Sequence, residues 1–255
     1  MSVVDQPTTS HDEITRHDEI RAEVRKSSLE EARPAMVPIR QALQAVGKNP
    51  GDAAKLQELY DGVQALSGNP ILTRLPTIAR LAFAFEQVLR QLVDKPDCIN
   101  QSVHRTMAQT VDLLCGLFDG DGGEVDLVTA RVLAVDDQQI ALRSVMNALE
   151  KANLKSQALS DPGAALSVAQ EWRFELIVLD LQMPVMTGLE LCAKLRALPN
   201  YKNSPILFVT SATDFQHRAE ICRSGGNDVI AKPFLATELA LKALTLIVKS
   251  KTAAA

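Results

Sequence analysis

Aromatic residues are scarce in this chain: one Trp, two Tyr and seven Phe make 4% of 255 residues, although 46% are apolar. That balance suits helix-rich packing better than a β-sandwich. Cysteine is equally sparse. Cys98, Cys115, Cys192 and Cys222 stand far apart with no C-x-x-C pair, which excludes a disulfide framework and a zinc site and predicts reduced thiols in a cytoplasmic protein. No apolar run approaches the ~18 residues a membrane span needs, so no membrane association is expected, and residues 1–26 are too polar for a secretory leader. Positive charge is not in excess either: 27 Lys and Arg against 31 Asp and Glu leave a net charge of −4, with no sustained basic run. Nucleic-acid binding therefore has no electrostatic support. A chain this long can enclose one large core or two ordinary ones.

What is present falls into two patterns. From Ser28 to Phe118 apolar residues recur at three- and four-residue steps, as in Leu29, Ala32, Met36, Ile39, Leu43 and Val46. Pro34 and Pro38 predict a break in that first run, Gly47-Lys48-Asn49-Pro50-Gly51 a turn, and Asp52 an N-cap for the helix that follows. Further one-faced stripes around Leu81 and Val111 complete the pattern of an up-and-down helical bundle. Ahead of it, His11-Asp12-Glu13-Ile14 is repeated as His17-Asp18-Glu19-Ile20. Two histidines six apart do not share a helix face, so the repeat reads as a solvated helical lead-in. His104, off the apolar stripe of its helix, reads as a surface residue. Asp119-Gly120-Asp121-Gly122-Gly123 reads as a flexible linker with no side-chain mass to pack.

The second pattern alternates strand and helix. Arg131–Val135 ends on Asp136-Asp137, Phe174–Leu179 on Asp180, Ile206–Val209 on Thr210, and Asp228–Ala231 on Lys232-Pro233. Helical stretches between them demand a parallel sheet covered on both faces, whose strand carboxyl ends are where ligands sit. Any one such polar residue is an ordinary strand-to-loop transition. Together they bring three carboxylates, a hydroxyl and an amine to one edge. Crowded carboxylates repel unless a cation joins them, and hard oxygen ligands suit Mg²⁺.

Asp136-Asp137, the segment Leu179-Asp180-Leu181-Gln182-Met183-Pro184 with Gly188 beyond it, Thr210 and Lys232-Pro233-Phe234 resemble the receiver domain of two-component response regulators. The resemblance implies a doubly wound, flavodoxin-like (βα)5 sheet with Asp180 as phosphoacceptor. It implies Mg²⁺ held by Asp136, Asp137, Asp180 and the backbone carbonyl of Gln182, with Thr210 and Lys232 engaging the phosphoryl oxygens. A cis bond at Lys232-Pro233 belongs to the same pattern. Three residues before the lysine the family has an aromatic residue, and this chain has Val229. A Thr210–Val229 switch would lack the usual aromatic rotamer.

Within the helical half, Ser28–Ala32, Lys48–Ala53 and Leu59–Gly68 resemble a histidine phosphotransfer (HPt) domain. Leu66 and Gly68 match, but Gln64 stands at the histidine and Ser67 at the lysine. A carboxamide nitrogen is no nucleophile, because its lone pair is delocalised into the carbonyl, and Ser67 cannot offset phosphate charge.

The expectation is thus a two-domain α plus α/β chain: a disordered N-terminus (1–11), a pseudo-HPt bundle (12–118), a flexible linker (119–129), a receiver (130–250) and a tail (251–255). Its expected function is a cytoplasmic response regulator, phosphorylated by a sensor histidine kinase or an HPt protein. It would signal by protein–protein contact to a downstream target, without an enzymatic output domain. The rival reading makes the bundle primary, as a homodimerisation or kinase-docking adaptor with an accessory receiver. An active relay would need His104 or His17 in place of Gln64.

Overall fold

The structure, a computed structural model, describes residues 11–211 and 218–253; the N-terminal stretch expected to be disordered lies, up to residue 10, outside the described residues. The N-terminal half is helical: α1 (His11–Ala32), α2 (Met36–Lys48), α3 (Ala53–Ser67), α4 (Pro76–Asp94) and α5 (Gln101–Asp119). Residues 19–27 of α1 are almost wholly exposed, as expected of a lead-in, and its burial begins at Ser28 and Leu29. A 3-10 turn at Arg33–Ala35 accommodates Pro34 between α1 and α2. Pro38 sits in the first turn of α2, where backbone N–H groups have no intrahelical acceptor to lose. The Asp52 carboxylate accepts from Ala54 and Lys55 N–H and fixes the start of α3. Asn100 does the same for α5 through Val103 N–H.

The C-terminal half runs β1 (Arg131–Val135), α6 (Gln139–Lys151), β2 (Lys155–Leu159), α7 (Pro162–Glu171), β3 (Leu176–Leu179), α8 (Gly188–Ala197), β4 (Ile206–Ser211), α9 (Arg218–Arg223), β5 (Asp228–Lys232) and α10 (Ala236–Thr252). Among the described residues the sheet has five strands, all parallel, in the order β2-β1-β3-β4-β5. Strand side chains alternate between two cores. Leu133, Val135, Ile177, Leu179, Phe208 and Val229 face the α7 and α8 side. Val132, Ala134, Leu176, Val178, Leu207 and Ile230 face the α6 and α10 side. The period-2 alternation of strands thus feeds helices on both faces.

The two halves share a core. Every residue of α10 from Glu238 to Val248 is buried, because the helix lies between the sheet and the bundle, against α4, α5 and α6. The apolar cluster of the bundle accordingly runs without interruption into the core on that face of the sheet. Arg80 of α4 donates to the carbonyls of Ala152 (2.6 Å) and Asn153 (2.8 Å), closing the C-terminal end of α6. The segment expected to be a linker with nothing to pack lies along this junction. Leu127 is buried, and Val125 N–H donates to Thr77 Oγ1 at 3.0 Å. Gly122 and Gly123 make the turn into it with φ of 83° and 47°, a region that favours glycine. The last helix also continues beyond residue 250, where a tail was expected. No helix among the described residues is long and apolar enough to cross a membrane.

Candidate functional site

The ends of β1, β3 and β5 place Asp136, Asp180 and Lys232 together. Lys232 Nζ donates to Asp136 Oδ2 at 2.7 Å and to Asp180 Oδ1 at 2.8 Å, bridging two buried carboxylates. The second oxygen of each is held by the backbone of its own loop. Gln138 N–H donates to Asp136 Oδ1, and Gln182 N–H to Asp180 Oδ2, each at 2.9 Å. Asp136, Asp137 and Asp180 each offer a carboxylate oxygen, all within 4.8 Å of one another. Asp137 contributes the unbalanced atom: its Oδ1 is shielded from solvent and has no hydrogen-bond partner. A buried acceptor left unmade costs about 1–3 kcal/mol, more when charged, and asks for a reason. A hard divalent cation fits, since three oxygens converge and one lysine cannot balance three carboxylates.

Charge follows from the same geometry. Burial pushes the Asp180 carboxyl above its ordinary 3.8, opposed by the hydrogen bond and charge of Lys232. Burial lowers Lys232, but its hydrogen bonds to Asp136 and Asp180 outweigh that and hold it above 10.5, so it is a cation at neutral pH. Gly188, the first residue of α8, packs on the backbone at Asp180. A Cβ there would sit 2.0 Å from the Asp180 carbonyl oxygen, so no larger residue fits without moving Asp180. Lys232-Pro233 is cis.

The model of the family described as response regulator receiver domain matches residues 132–244. These residues form a receiver domain. Its relatives agree in extent. RcaC of Microchaete diplosiphon is 34% identical over 114 residues, 45% of this chain and 18% of that protein. The chemotaxis response regulator CheY4 of Vibrio cholerae is 36% identical, with 46% of this chain and 98% of that chain covered and a TM-score of 0.43. The receiver domain of the sensor histidine kinase PA1611 of Pseudomonas aeruginosa, solved with magnesium in its active-site cleft, is 25% identical, with 47% and 98% covered and a TM-score of 0.43. The chain spans less than a fifth of the length of RcaC.

The remaining receiver positions lie as follows. Thr210 is buried near the end of β4. Val229 is fully buried, in register with Phe208, and packs in the core on the α7 and α8 side. A β-branched side chain packed there is restricted at χ1. Val185, in the loop after Asp180, is fully exposed with φ of 71°. That conformation is unusual for a β-branched residue, and no sequence signal marks it.

In the bundle, Gln64 and Ser67 lie one turn apart on α3 and join a closed polar network. Gln64 Nε2 donates to Tyr60 Oη at 2.9 Å, and Ser67 Oγ donates to Glu86 Oε2 at 2.5 Å. Arg90 Nη2 donates to the other Glu86 oxygen at 2.9 Å. Ser67 is therefore engaged with a carboxylate. His104 corrects the expectation of a surface residue. It is half-buried, with Nε2 shielded, unpartnered and packed so closely on Gly47 that a Cβ there would lie 2.7 Å from it. The side chain of His17 lies outside the described residues.

Proposed function

We propose that this chain is a response regulator that takes a phosphoryl group onto Asp180 from a phosphohistidine on a sensor kinase or HPt protein. The observation that carries the reading is the Asp136–Asp137–Asp180 cluster with its unpartnered Asp137 oxygen and Lys232 spanning two of the acids. Asp136, Asp137, Asp180 and the Gln182 main-chain carbonyl would hold Mg²⁺, which when bound offsets charge on the phosphoryl oxygens. That the PA1611 receiver holds magnesium in its cleft supports this choice of metal.

In the step itself, an Asp180 carboxylate oxygen attacks phosphorus, a P–O bond forms, the donor N–P bond breaks, and its electron pair returns to the imidazole. Lys232 already stands against Asp180 and can follow the developing charge without reorganisation. The Thr210 hydroxyl would bond a second phosphoryl oxygen. No proton has to leave Asp180 if it reacts as the carboxylate, the form that Lys232 favours against burial.

The bundle is then a catalytically inactive, HPt-like docking and regulatory module. Its supports are Gln64, which lacks a usable nucleophile, and Ser67, tied to Glu86. Output passes by protein contact to a downstream target. With Val229 walled in, a phosphoryl-dependent change would travel through backbone and helix packing.

Incubating the full chain with acetyl phosphate and Mg²⁺, followed by intact-mass analysis, tests the assignment. One added phosphoryl group is expected, lost with EDTA and in Asp180→Asn. An undiminished adduct on the Asn variant would sink it.

A further inference from the structure

Away from the acid pocket, buried charge is concentrated where the bundle meets β5 and α10. Asp228, the first residue of β5, is 1% exposed. Its Oδ1 accepts from Arg105 Nη1 of α5 at 3.2 Å, and its Oδ2 from Lys242 Nζ of α10 at 2.7 Å. Lys242 also donates to Gln109 Oε1 of α5 at 3.0 Å. One turn earlier on α10, Glu238 accepts from Ser102 Oγ at 2.5 Å and Thr106 Oγ1 at 3.3 Å, both on α5. Two acids and two bases thus meet in this seam, among the hydroxyls of Ser102 and Thr106 and the Gln109 amide. Substituting such a cluster with well-packed apolar residues is often stabilising, so its charges are better explained by registration than by stability.

We propose that Arg105, on the bundle, is a positioning residue for Lys232 and acts through Asp228 and β5. Among the described strands β5 lies at the edge of the sheet and pairs with β4 alone. An edge strand has one side free of ladder hydrogen bonds, so what grips it from outside helps set where it lies. Both ends of this strand are gripped by charge. Asp228 is held by the bundle and α10, and Lys232, four residues on, holds Asp136 and Asp180. Between them Val229 and Ile230 are fully buried, one in each core. A packed, extended segment of about 13 Å, at ~3.3 Å per residue, shifts as a unit instead of absorbing displacement at one end. Through it, a bundle with no phosphoryl chemistry of its own contributes to the site. The inference rests on the reading of Asp180 as phosphoacceptor.

The test compares the full-length wild type, Arg105→Met and Arg105→Lys for the initial rate of modification by saturating acetyl phosphate with Mg²⁺. Mg²⁺ affinity is measured separately on the same proteins, below their melting temperatures. Arg105→Met should slow modification several-fold with Mg²⁺ affinity unchanged, and Arg105→Lys should recover part of the rate. In a Lys232→Met background Arg105→Met should cost nothing further, because the residue it positions is gone. A folded Arg105→Met modified at the wild-type rate would overturn the proposal. So would the same fold-loss with and without Lys232, or a matching loss of Mg²⁺ affinity. Should Arg105→Met not fold, Arg105→Lys, which keeps the charge but loses the planar fork, carries the same criteria. A wild type that takes no phosphoryl group at Asp180 would remove the reading underneath. A wild type that takes it, with indifference at Arg105, removes this proposal alone.

Discussion

Asp228→Asn measures whether bundle and receiver unfold as one. The carboxylate is buried and accepts from Arg105, Lys242 and its own Val229 N–H at 3.2, 2.7 and 2.8 Å. Asn keeps the shape and one acceptor oxygen, so Val229 and Arg105 can still be served. Its amide nitrogen then points donor hydrogens at the Lys242 ammonium, and buried Lys242 and half-buried Arg105 lose the anion between them. Breaking a buried pair from one side costs roughly 3–5 kcal/mol. With a melting entropy of about 2.1 cal/mol/K per residue, this shifts Tm by roughly 6–9 °C if the whole chain melts together. If the ~120-residue receiver melts alone, the same cost gives about 12–20 °C. The continuous core through α10 predicts a single calorimetric transition and the smaller shift. Two resolved transitions, with only one moved by the substitution, would refute the reasoning, as would a shift under about 2 °C. The pH dependence has a definite sign. Burial alone would raise Asp228, but the charge and hydrogen bond of Lys242 hold it below its ordinary 3.8. A lowered carboxyl gives stability that is present above 3.8 and lost as pH falls further, so the gap between wild type and variant should narrow below that value.

Glu238 behaves in the opposite sense: burial raises it above its ordinary 4.5 in spite of the Ser102 hydroxyl and Lys242. Its ionisation therefore costs stability above 4.5, and Glu238→Gln, which still accepts from Ser102, should melt higher than wild type at pH 8 with no gain below pH 4.5. Destabilisation at pH 8 would contradict this. Gly188→Ala must displace the Asp180 carbonyl, 2.0 Å from the new Cβ, and a misplacement of about 1 Å at a reacting group costs on the order of 10²-fold. Acetyl phosphate modification at the wild-type rate would show that the loop yields at no cost. In the bundle, Gln64→His with Ser67→Lys should fail to accept phosphate from a phosphorylated receiver, because the introduced lysine would pair with Glu86 where Ser67 now bonds. Adding Glu86→Gln should free that lysine, and transfer by the double variant alone, read by intact mass, would refute the pairing.

The acid pocket was legible because its chemistry is local in sequence. Each of its residues follows an apolar run of strand length, and a parallel sheet brings such ends to one edge without further information. The structure brings Asp136, Asp137, Asp180 and Lys232 together at that edge. The start of α3 was legible for the same reason, since Asp52 caps the helix that follows within three residues. What depended on the partner across space was not. Nothing in the order of residues reveals that Ser67 meets Glu86, nineteen positions away, or that His104 is pressed on Gly47. At the linker, composition misleads. Its glycines suggest freedom, yet Val125 and Leu127 just beyond them find a wall to pack on.

The docking of the two halves did leave a trace, in α10. An amphipathic helix covering one face of a sheet keeps a polar outer side. In Leu239-Ala240-Leu241-Lys242-Ala243-Leu244-Thr245-Leu246-Ile247-Val248 the apolar residues go all the way round, with Lys242 and Thr245 the interruptions. A helix of that kind needs cover on every side, and the sheet with α6 supplies only part of it. The rest must come from another layer, and the bundle, through α4 and α5, is what the chain provides. The two interruptions mark the same contact, since Lys242 meets Gln109 and Asp228 while Thr245 meets Thr110 at 3.2 Å. A lysine in an apolar helix is costly unless an acid awaits it, so its presence already implies a buried carboxylate nearby. The bundle is therefore a structural wall of the receiver, and the phosphoryl signal proposed for Asp180 would have to act through, or away from, a helix that is held on both sides.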